Sequence, residues 1–147
     1  MPDRHTPEQR RYNMSCIRSS GTTPEKRLAE LLRLLFPEAA IEERLTTLPG
    51  KPDFYLPELH LAVFADGCFF HRCPRHFIAP LNNHEYWITK IARNRQRDLK
   101  NNRLLKAGGI YPVRIWEHNL GRDLTRARRQ LRRARRVAAR LATPPDK

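Results

Sequence analysis

Acidic side chains are scarce in this sequence. Asp and Glu number 15 against 29 Lys and Arg, a formal net charge of +14. Such an excess favours a polyanionic partner, nucleic acid first. Cysteines are also few, and the odd count of three speaks against a disulfide framework. No apolar run approaches membrane-spanning length, and the opening MPDRHTPEQRRYN is too charged for a secretory signal. No internal repeat is visible. The length, 147 residues, suits one domain with a sizeable core and not two. The expectation is a soluble, intracellular, single-domain protein with no membrane partner.

Much of the positive charge that is present sits near the C-terminus. Residues 118–147 hold ten Lys and Arg and two acids, Asp123 and Asp146. A charge run of this kind is often a solvated tail. Arg outnumbers Lys heavily, however, and its planar fork is the better match to phosphate. The densest chemistry lies in residues 61–76, LAVFADGCFFHRCPRH. Its first half, with Asp66 at the end, reads as a buried strand. Its second half brings Cys68, Phe69, Phe70, His71, Cys73 and His76 into a short loop. These groups bind metals, move protons or stack on bases. A stable fold gains little from exposing two Phe beside two His and two Cys, so the loop is read as functional.

Taken in order, residues 1–6 are expected to be disordered. Residues 7–18 read as a basic helix whose apolar members are Tyr12, Met14, Cys16 and Ile17. It either packs on the core or forms an arm that carries apolar side chains to a partner. Thr23 is a good N-cap and Pro24 suits the first helical position. Leu28, Leu31, Leu32 and Leu35 then make one buried stripe. Glu25 extends that stripe and points inward, although a first-turn carboxylate also favours the helix dipole by itself. Strands are expected at 41–48, 51–56 and 61–66. A five-residue loop, 57–61, would set Asp53 beside Ala65, with Asp53 and Asp66 on neighbouring strands. Asn83 caps a long helix, 84–107, closed by Gly108-Gly109. On its face Asn94 and Asp98 interrupt the stripe of Trp87, Ile91 and Leu105, and so face a polar site. A strand at 110–116 leads to Glu117-His118. A last helix, 122–141, has Leu124, Ala127, Leu131 and Ala134 inside and arginines outside. This order gives an α/β sandwich around a small mixed sheet.

Two carboxylates on adjacent strands and a third from a helix form an oxygen cage for Mg²⁺. Asp53, Asp66 and Glu25 fit that description. Pro52-Asp53 followed by Asp66-Gly67-Cys68 resembles the PD-(D/E)xK nuclease pattern, with Cys68 where that pattern has lysine. His71 is the candidate to activate water instead. Pro-Asp is common in turns, so this motif is weak by itself. Cys68, Cys73, His76 and His118 supply the donor types and number of a structural zinc site. The bland alternative is buried free cysteines beside surface histidines.

GKPDF, VFADGCFFHRCP, EYWITKIARNRQRD and VRIWEH, in this order, resemble the very-short-patch repair (Vsr) family of mismatch endonucleases. The resemblance covers roughly residues 11–118. It implies a restriction-endonuclease-like, PD-(D/E)xK fold with a structural Zn²⁺. It also implies Mg²⁺-dependent nicking of double-stranded DNA on the 5′ side of a thymine mispaired with guanine. By position, Asp53 resembles the metal-binding aspartate, and the Ala65 backbone carbonyl falls where the family has a second metal contact. His71 resembles the catalytic histidine, Glu25 the helix acid near it, and Asp98 an acid that supports it. Asp66 stands where some members have histidine. Phe69 and Phe70 match an aromatic pair that wedges into the duplex, where the commoner second residue is tryptophan. Met14 and Ile17 match apolar residues of an N-terminal arm, and Lys90 and Asn94 resemble residues that reach the mismatched bases. Cys68, Cys73 and His118 match zinc ligands, the last often cysteine.

These implications divide the single domain into an arm at 1–20, a nuclease core at 21–120 and a basic helix and tail at 121–147. The last lies outside the resemblance and offers extra phosphate-binding surface. The resemblance further implies a bacterial cytoplasmic monomer that works at the nucleoid, beside mismatch-repair proteins and a cytosine methyltransferase reading the same site. The competing reading is a zinc-stapled DNA-binding protein that bends or marks DNA without cutting. Charge, zinc and aromatic wedge serve both readings, and the carboxylates separate them.

Overall fold

The structure, a computed structural model, describes residues 6–9, 11 and 22–142. In chain order the main elements are α1 (Thr23–Leu35), β1 (Glu42–Glu43), β2 (Phe54–Leu56), β3 (Leu61–Asp66), α2 (His84–Ala107), β4 (Tyr111–Trp116) and α3 (Thr125–Ala142). The sheet order is β1-β2-β3-β4. The first two pairings are antiparallel, and β3 and β4 run parallel, joined by α2 as the crossover. This is the mixed α/β architecture that the sequence predicts.

The strand β3 is apolar at successive positions because both of its faces are covered. Leu61 and Val63 join Leu28, Leu31 and Leu32 of α1 and Ala127, Leu131, Ala134 and Ala138 of α3 in the main core. Ala62 and Phe64 meet Leu105 of α2 on the other face. Each fully buried leucine contributes about 1.5–3 kcal/mol by leaving water. The C-terminal helix is therefore a wall of the core, whatever its outer face does. Among the described residues no helix is long and apolar enough to cross a membrane.

Several local expectations change. The cap of α1 is Thr22, not Thr23: Thr22 is extended, and its Oγ1 accepts the Glu25 N–H at 3.4 Å. The expected strand at 41–48 shrinks to Glu42–Glu43, because Arg44 turns the chain with φ 53°. The β2–β3 register is one residue off the expected one, with Leu56 opposite Leu61 and Phe54 opposite Val63. His60 adopts a left-handed conformation, φ 54°, and closes the connection one residue sooner. Asn83 precedes α2 with φ 52° and makes no side-chain cap. Gly109, at φ 77°, does close that helix as expected.

The last helix starts at Thr125, whose N–H is taken by Asp123 Oδ1 at 2.9 Å. Residues 7–9 and 11 are helical. Thr6, expected in a disordered leader, caps them: its Oγ1 accepts the Gln9 N–H at 3.1 Å, and Gln9 Oε1 accepts the Thr6 N–H at 2.8 Å. Tyr12, Met14, Cys16 and Ile17 lie outside the described residues.

Candidate active site

Parallel β3 and β4 end side by side, Asp66 opposite Trp116, and the loop that follows β3 folds over their ends. Backbone bonds hold it tightly: His71 N–H to Gly67 O at 3.2 Å, Cys73 N–H to Cys68 O at 2.8 Å and Phe77 N–H to Cys73 O at 3.0 Å. Glu117 Oε1 accepts the Cys68 N–H at 2.9 Å and ties the loop to the residue after β4.

His71 is the centre of the first cluster. Its Nδ1 lies 2.6 Å from Asp98 Oδ2, and its Nε2 lies 3.8 Å from Asp66 Oδ1. Asp66 is buried, and Arg114 Nη1 donates to both of its oxygens at 3.1 and 3.3 Å. The same Nη1 stands 3.6 Å from Asp98 Oδ1. Arg114 is itself braced by Asn102 Oδ1 at 2.9 Å and lies 4.0 Å over the Phe64 ring. Burial disfavours the His71 imidazolium, but the Asp98 hydrogen bond and the charges of Asp66 and Asp98 outweigh it and raise the pKa. Burial also raises the Asp66 carboxyl, against the opposing charges of Arg114 and His71. Sequence reasoning finds His71, Asp98 and Asp66 and misses Arg114 and Asn102. The available signal for Arg114 is a lone charge inside the otherwise apolar strand YPVRIW.

Asp53 precedes β2, and its Oδ2 accepts the Ala65 N–H at 2.8 Å. The backbone of Ala65 is thus beside the Asp53 carboxylate despite the shifted register. Burial pushes the Asp53 carboxyl up to about 6 against that hydrogen bond, and the charges of Glu25 and Asp66 add to the rise. Glu25 and Asp53 line one cleft, with Lys26, Arg33 and Arg44 also on its wall. Asp66 turns instead toward His71 and Arg114. Asp53 and Glu25 are partly buried acids in one cleft, and the charge of Glu25 raises the Asp53 pKa, a repulsion that a cation would relieve. A carboxylate plus a carbonyl oxygen is the hard donor set of Mg²⁺, which keeps several waters and takes few protein ligands.

The second cluster holds Cys68, Cys73, His76 and His118, whose ligand atoms all lie within 4.8 Å of one another. Cys68 Sγ is 3.3 Å from His118 Nδ1, and Cys73 Sγ is 3.7 Å from the same atom and 3.6 Å from His76 Nδ1. With Zn–S bonds of about 2.3 Å and Zn–N bonds of about 2.05 Å, tetrahedral geometry separates sulfur from nitrogen by about 3.6 Å. The donor set and its spacing therefore fit Zn²⁺. Burial, helped by His76, Arg75 and Arg126, lowers the His118 pKa and keeps the imidazole in the neutral, ligating form.

The aromatic pair divides. The Phe69 ring packs on Trp87 at 5.3 Å and Phe77 at 5.8 Å, whereas among the described residues Phe70 makes one ring contact, edge-on to Phe69 at 5.2 Å. Asn94 Nδ2 donates to the Phe70 carbonyl at 3.2 Å, which ties the loop to α2. Lys90 Nζ stands over the rings of Trp87 at 5.3 Å and Tyr86 at 5.8 Å. Met14 and Ile17 lie outside the described residues.

A basic α/β domain with carboxylates and an oriented histidine at one end of its sheet has the layout of a small nuclease. The family model described as DNA mismatch endonuclease Vsr matches residues 2–75. Type II nicking enzyme V.XorIIP of Xanthomonas oryzae pv. oryzae is 37% identical over 82% of this chain and 88% of its own length. Type II nicking enzyme V.NaeI of Lentzea aerocolonigenes is 38% identical over 80% of this chain and 73% of its own. DNA mismatch endonuclease Vsr of Escherichia coli is 35% identical over 80% and 74%. The chain belongs to the Vsr family of DNA mismatch endonucleases.

Proposed function

We propose that this protein hydrolyses one strand of duplex DNA on the 5′ side of a thymine mispaired with guanine, in a Mg²⁺-dependent reaction of the very-short-patch type. One observation carries the reading: His71 is oriented by Asp98 at 2.6 Å, on the same loop as the Phe69-Phe70 pair. A DNA binder that never cuts has no use for an imidazole held by a carboxylate. That weighs against the non-catalytic alternative.

With its Nδ1–H donated to Asp98, His71 has Nε2, 3.8 Å from Asp66 Oδ1, as the ring atom that accepts a proton. Attack by water on phosphorus forms one P–O bond and breaks another. The water proton passes to Nε2, and the leaving oxygen takes up a proton from solvent. Asp98 stabilises the imidazolium that forms, and the Asp66–Arg114 pair fixes the other side of the ring. Asp53 and the Ala65 carbonyl are the groups that would hold Mg²⁺, which when bound offsets charge on the scissile phosphate and lowers the pKa of its water. Glu25 adds negative charge to the same cleft. Cys68, Cys73, His76 and His118 would hold the structural Zn²⁺ that clips the loop to the residues after β4. Phe70 is the wedge, and Lys90 and Asn94 lie on the helix beside it.

The test is nicking of T·G and matched duplexes with and without Mg²⁺, by the parent and by Asp53→Asn. The parent should cut the T·G duplex only with Mg²⁺. Asp53→Asn should lose cutting by about a thousandfold or more, the loss of several kcal/mol of charge stabilisation, and keep mismatch binding. Cutting by Asp53→Asn at the parent rate would overturn the assignment.

A further inference from the structure

We infer that the outer face of α3 is a second duplex-DNA contact, a sequence-independent clamp on the backbone that flanks the nick site. The inference rests on duplex DNA being the substrate. Its main observations come from α3 itself and do not involve His71, Asp98 or Asp53.

All eight arginines of α3 are exposed, and the helix contains no acid. Among the described residues none of them is in an ion pair, and Arg135 alone has a ring partner, lying over Phe36 at 5.6 Å. Arg128, Arg132, Arg136 and Arg140 follow one another at i, i+4 spacing, where like charges repel. The helix does not need that face to fold, since Ala127, Leu131, Ala134 and Ala138 anchor the opposite one in the core. A row of unpaired guanidinium groups is relieved by an anion from outside.

The shape of the surface names the anion. Two clefts meet at Arg129. One reaches Arg75 of the catalytic loop and Arg126, and the other runs along Arg128, Arg132 and Arg136. A track with Arg75, Arg126 and Arg129 on its walls thus leads from the Cys73 and His118 side of the loop down the helix. The 18 residues of α3 extend for about 27 Å, which is about eight base pairs at a rise of about 3.4 Å per strand phosphate. An open, extended track fits a repeating phosphate polymer better than a single small anion. A membrane is disfavoured, because the apolar side of α3 is already buried in the core.

The experiment uses the full chain carrying Arg128→Gln, Arg132→Gln and Arg136→Gln together, and the same three positions changed to Lys. Binding to matched and T·G duplexes is measured across a salt series. The Gln triple should flatten the slope of log K against log salt by about 2–3, at about 0.9 per lost phosphate contact. It should weaken both duplexes equally, leaving mismatch preference and the nicking rate at saturating protein unchanged. The Lys triple should restore the slope. If the Gln triple unfolds, Arg132→Gln alone should flatten the slope by about 0.9.

An unchanged slope with intact nicking sinks the clamp and leaves the nuclease reading standing. A parent protein that binds no duplex and nicks none sinks both. Loss of binding to single-stranded RNA or to anionic phosphatidylserine vesicles, with duplex binding unaffected, gives the face to another partner and overturns the inference.

Discussion

Two clusters hang on the loop after β3, and each packs ligand-type atoms within 4.8 Å. Cys68, Cys73, His76 and His118 form one, and Asp66, His71 and Asp98 form the other. They differ in what neutralises them. The second cluster contains its own counter-charge: Arg114 Nη1 is 3.1 Å from Asp66 and 3.6 Å from Asp98. The first brings two cysteines together with no cationic side chain in ion-pair contact among the described residues, although Arg75 and Arg126 stand near His118. Burial pushes the Cys68 thiol up to about 11, while the hydrogen bonds of His76 and the backbone draw Cys73 down against its own burial. One set of side chains carries its own counter-charge, and the other has the donor types and spacing that would fit a cation. Closeness of ligand-type groups alone does not make a metal site. The balance of charge decides.

The sharpest way to break this contrast is to remove the metal. Stripping zinc with a chelator, or Cys73→Ser, should lower stability by several kcal/mol, because metal affinity in such sites is folding energy. For a domain of this size the melting temperature should fall by about 10 °C or more. Metal analysis of the purified protein and a melt with and without chelator check it. Finding no bound zinc, and no change in melting, would remove the distinction between the clusters.

His71→Ala attacks the other cluster from the same loop. Nicking should fall by about 10²–10⁴-fold, the usual range for a lost general base. Bound zinc and mismatch binding should survive. A variant that cuts at the parent rate would show that His71 is only a neighbour of the chemistry.

The sequence shows the zinc-type cluster more readily than the charged one, for a physical reason. Cysteines are rare enough that Cys68 and Cys73 beside histidines stand out, and their spacing is local. Arg114 is invisible in that way because its partners are far along the chain: Asp66 on β3 and Asp98 on α2 meet it only through the parallel β3–β4 pairing. Apolar periodicity reveals α1, β3 and α3, since burial follows the stripe. It overextends β1, where Glu42 and Glu43 are both exposed and no stripe exists. The β2–β3 register turns on His60 entering left-handed space, a conformation that composition does not signal.

Arg114→Gln tests whether the charged cluster is self-sufficient. It leaves the Asp66 carboxylate buried without its ion-pair partner, a change that should cost about 3 kcal/mol. Adding Asp66→Asn should recover part of that loss, since the uncompensated charge goes with it. Chemical denaturation of the parent, both single variants and the double measures the coupling. Independent, additive effects would mean that Asp66 and Arg114 do not depend on one another for stability, and that the charged cluster does not rest on its own counter-charge.

The smallest expected effect divides the two phenylalanines. Phe69 is locked against Trp87 and Phe77, so Phe69→Ala should cost stability before it costs recognition. Phe70 is half-buried and among the described residues touches no ring except Phe69, and its carbonyl, not its ring, is what Asn94 holds. Its side chain is therefore free to enter a base step, where aromatic contact offsets an unstacking cost of a few kcal/mol. A T·G pair is weaker than a matched pair and would open more readily at such a wedge, so under the proposed function deformability would contribute to the choice of site. Phe70→Ala should fold and melt like the parent and keep its salt-dependent affinity for plain duplex. Its preference for T·G over matched duplex should fall by about tenfold, or about 1.4 kcal/mol. Competition between the two duplexes at one fixed salt concentration measures that ratio. If Phe70→Ala and Phe69→Ala both leave it intact, the wedge is not the discriminator, and recognition passes to the N-terminal arm with Met14 and Ile17.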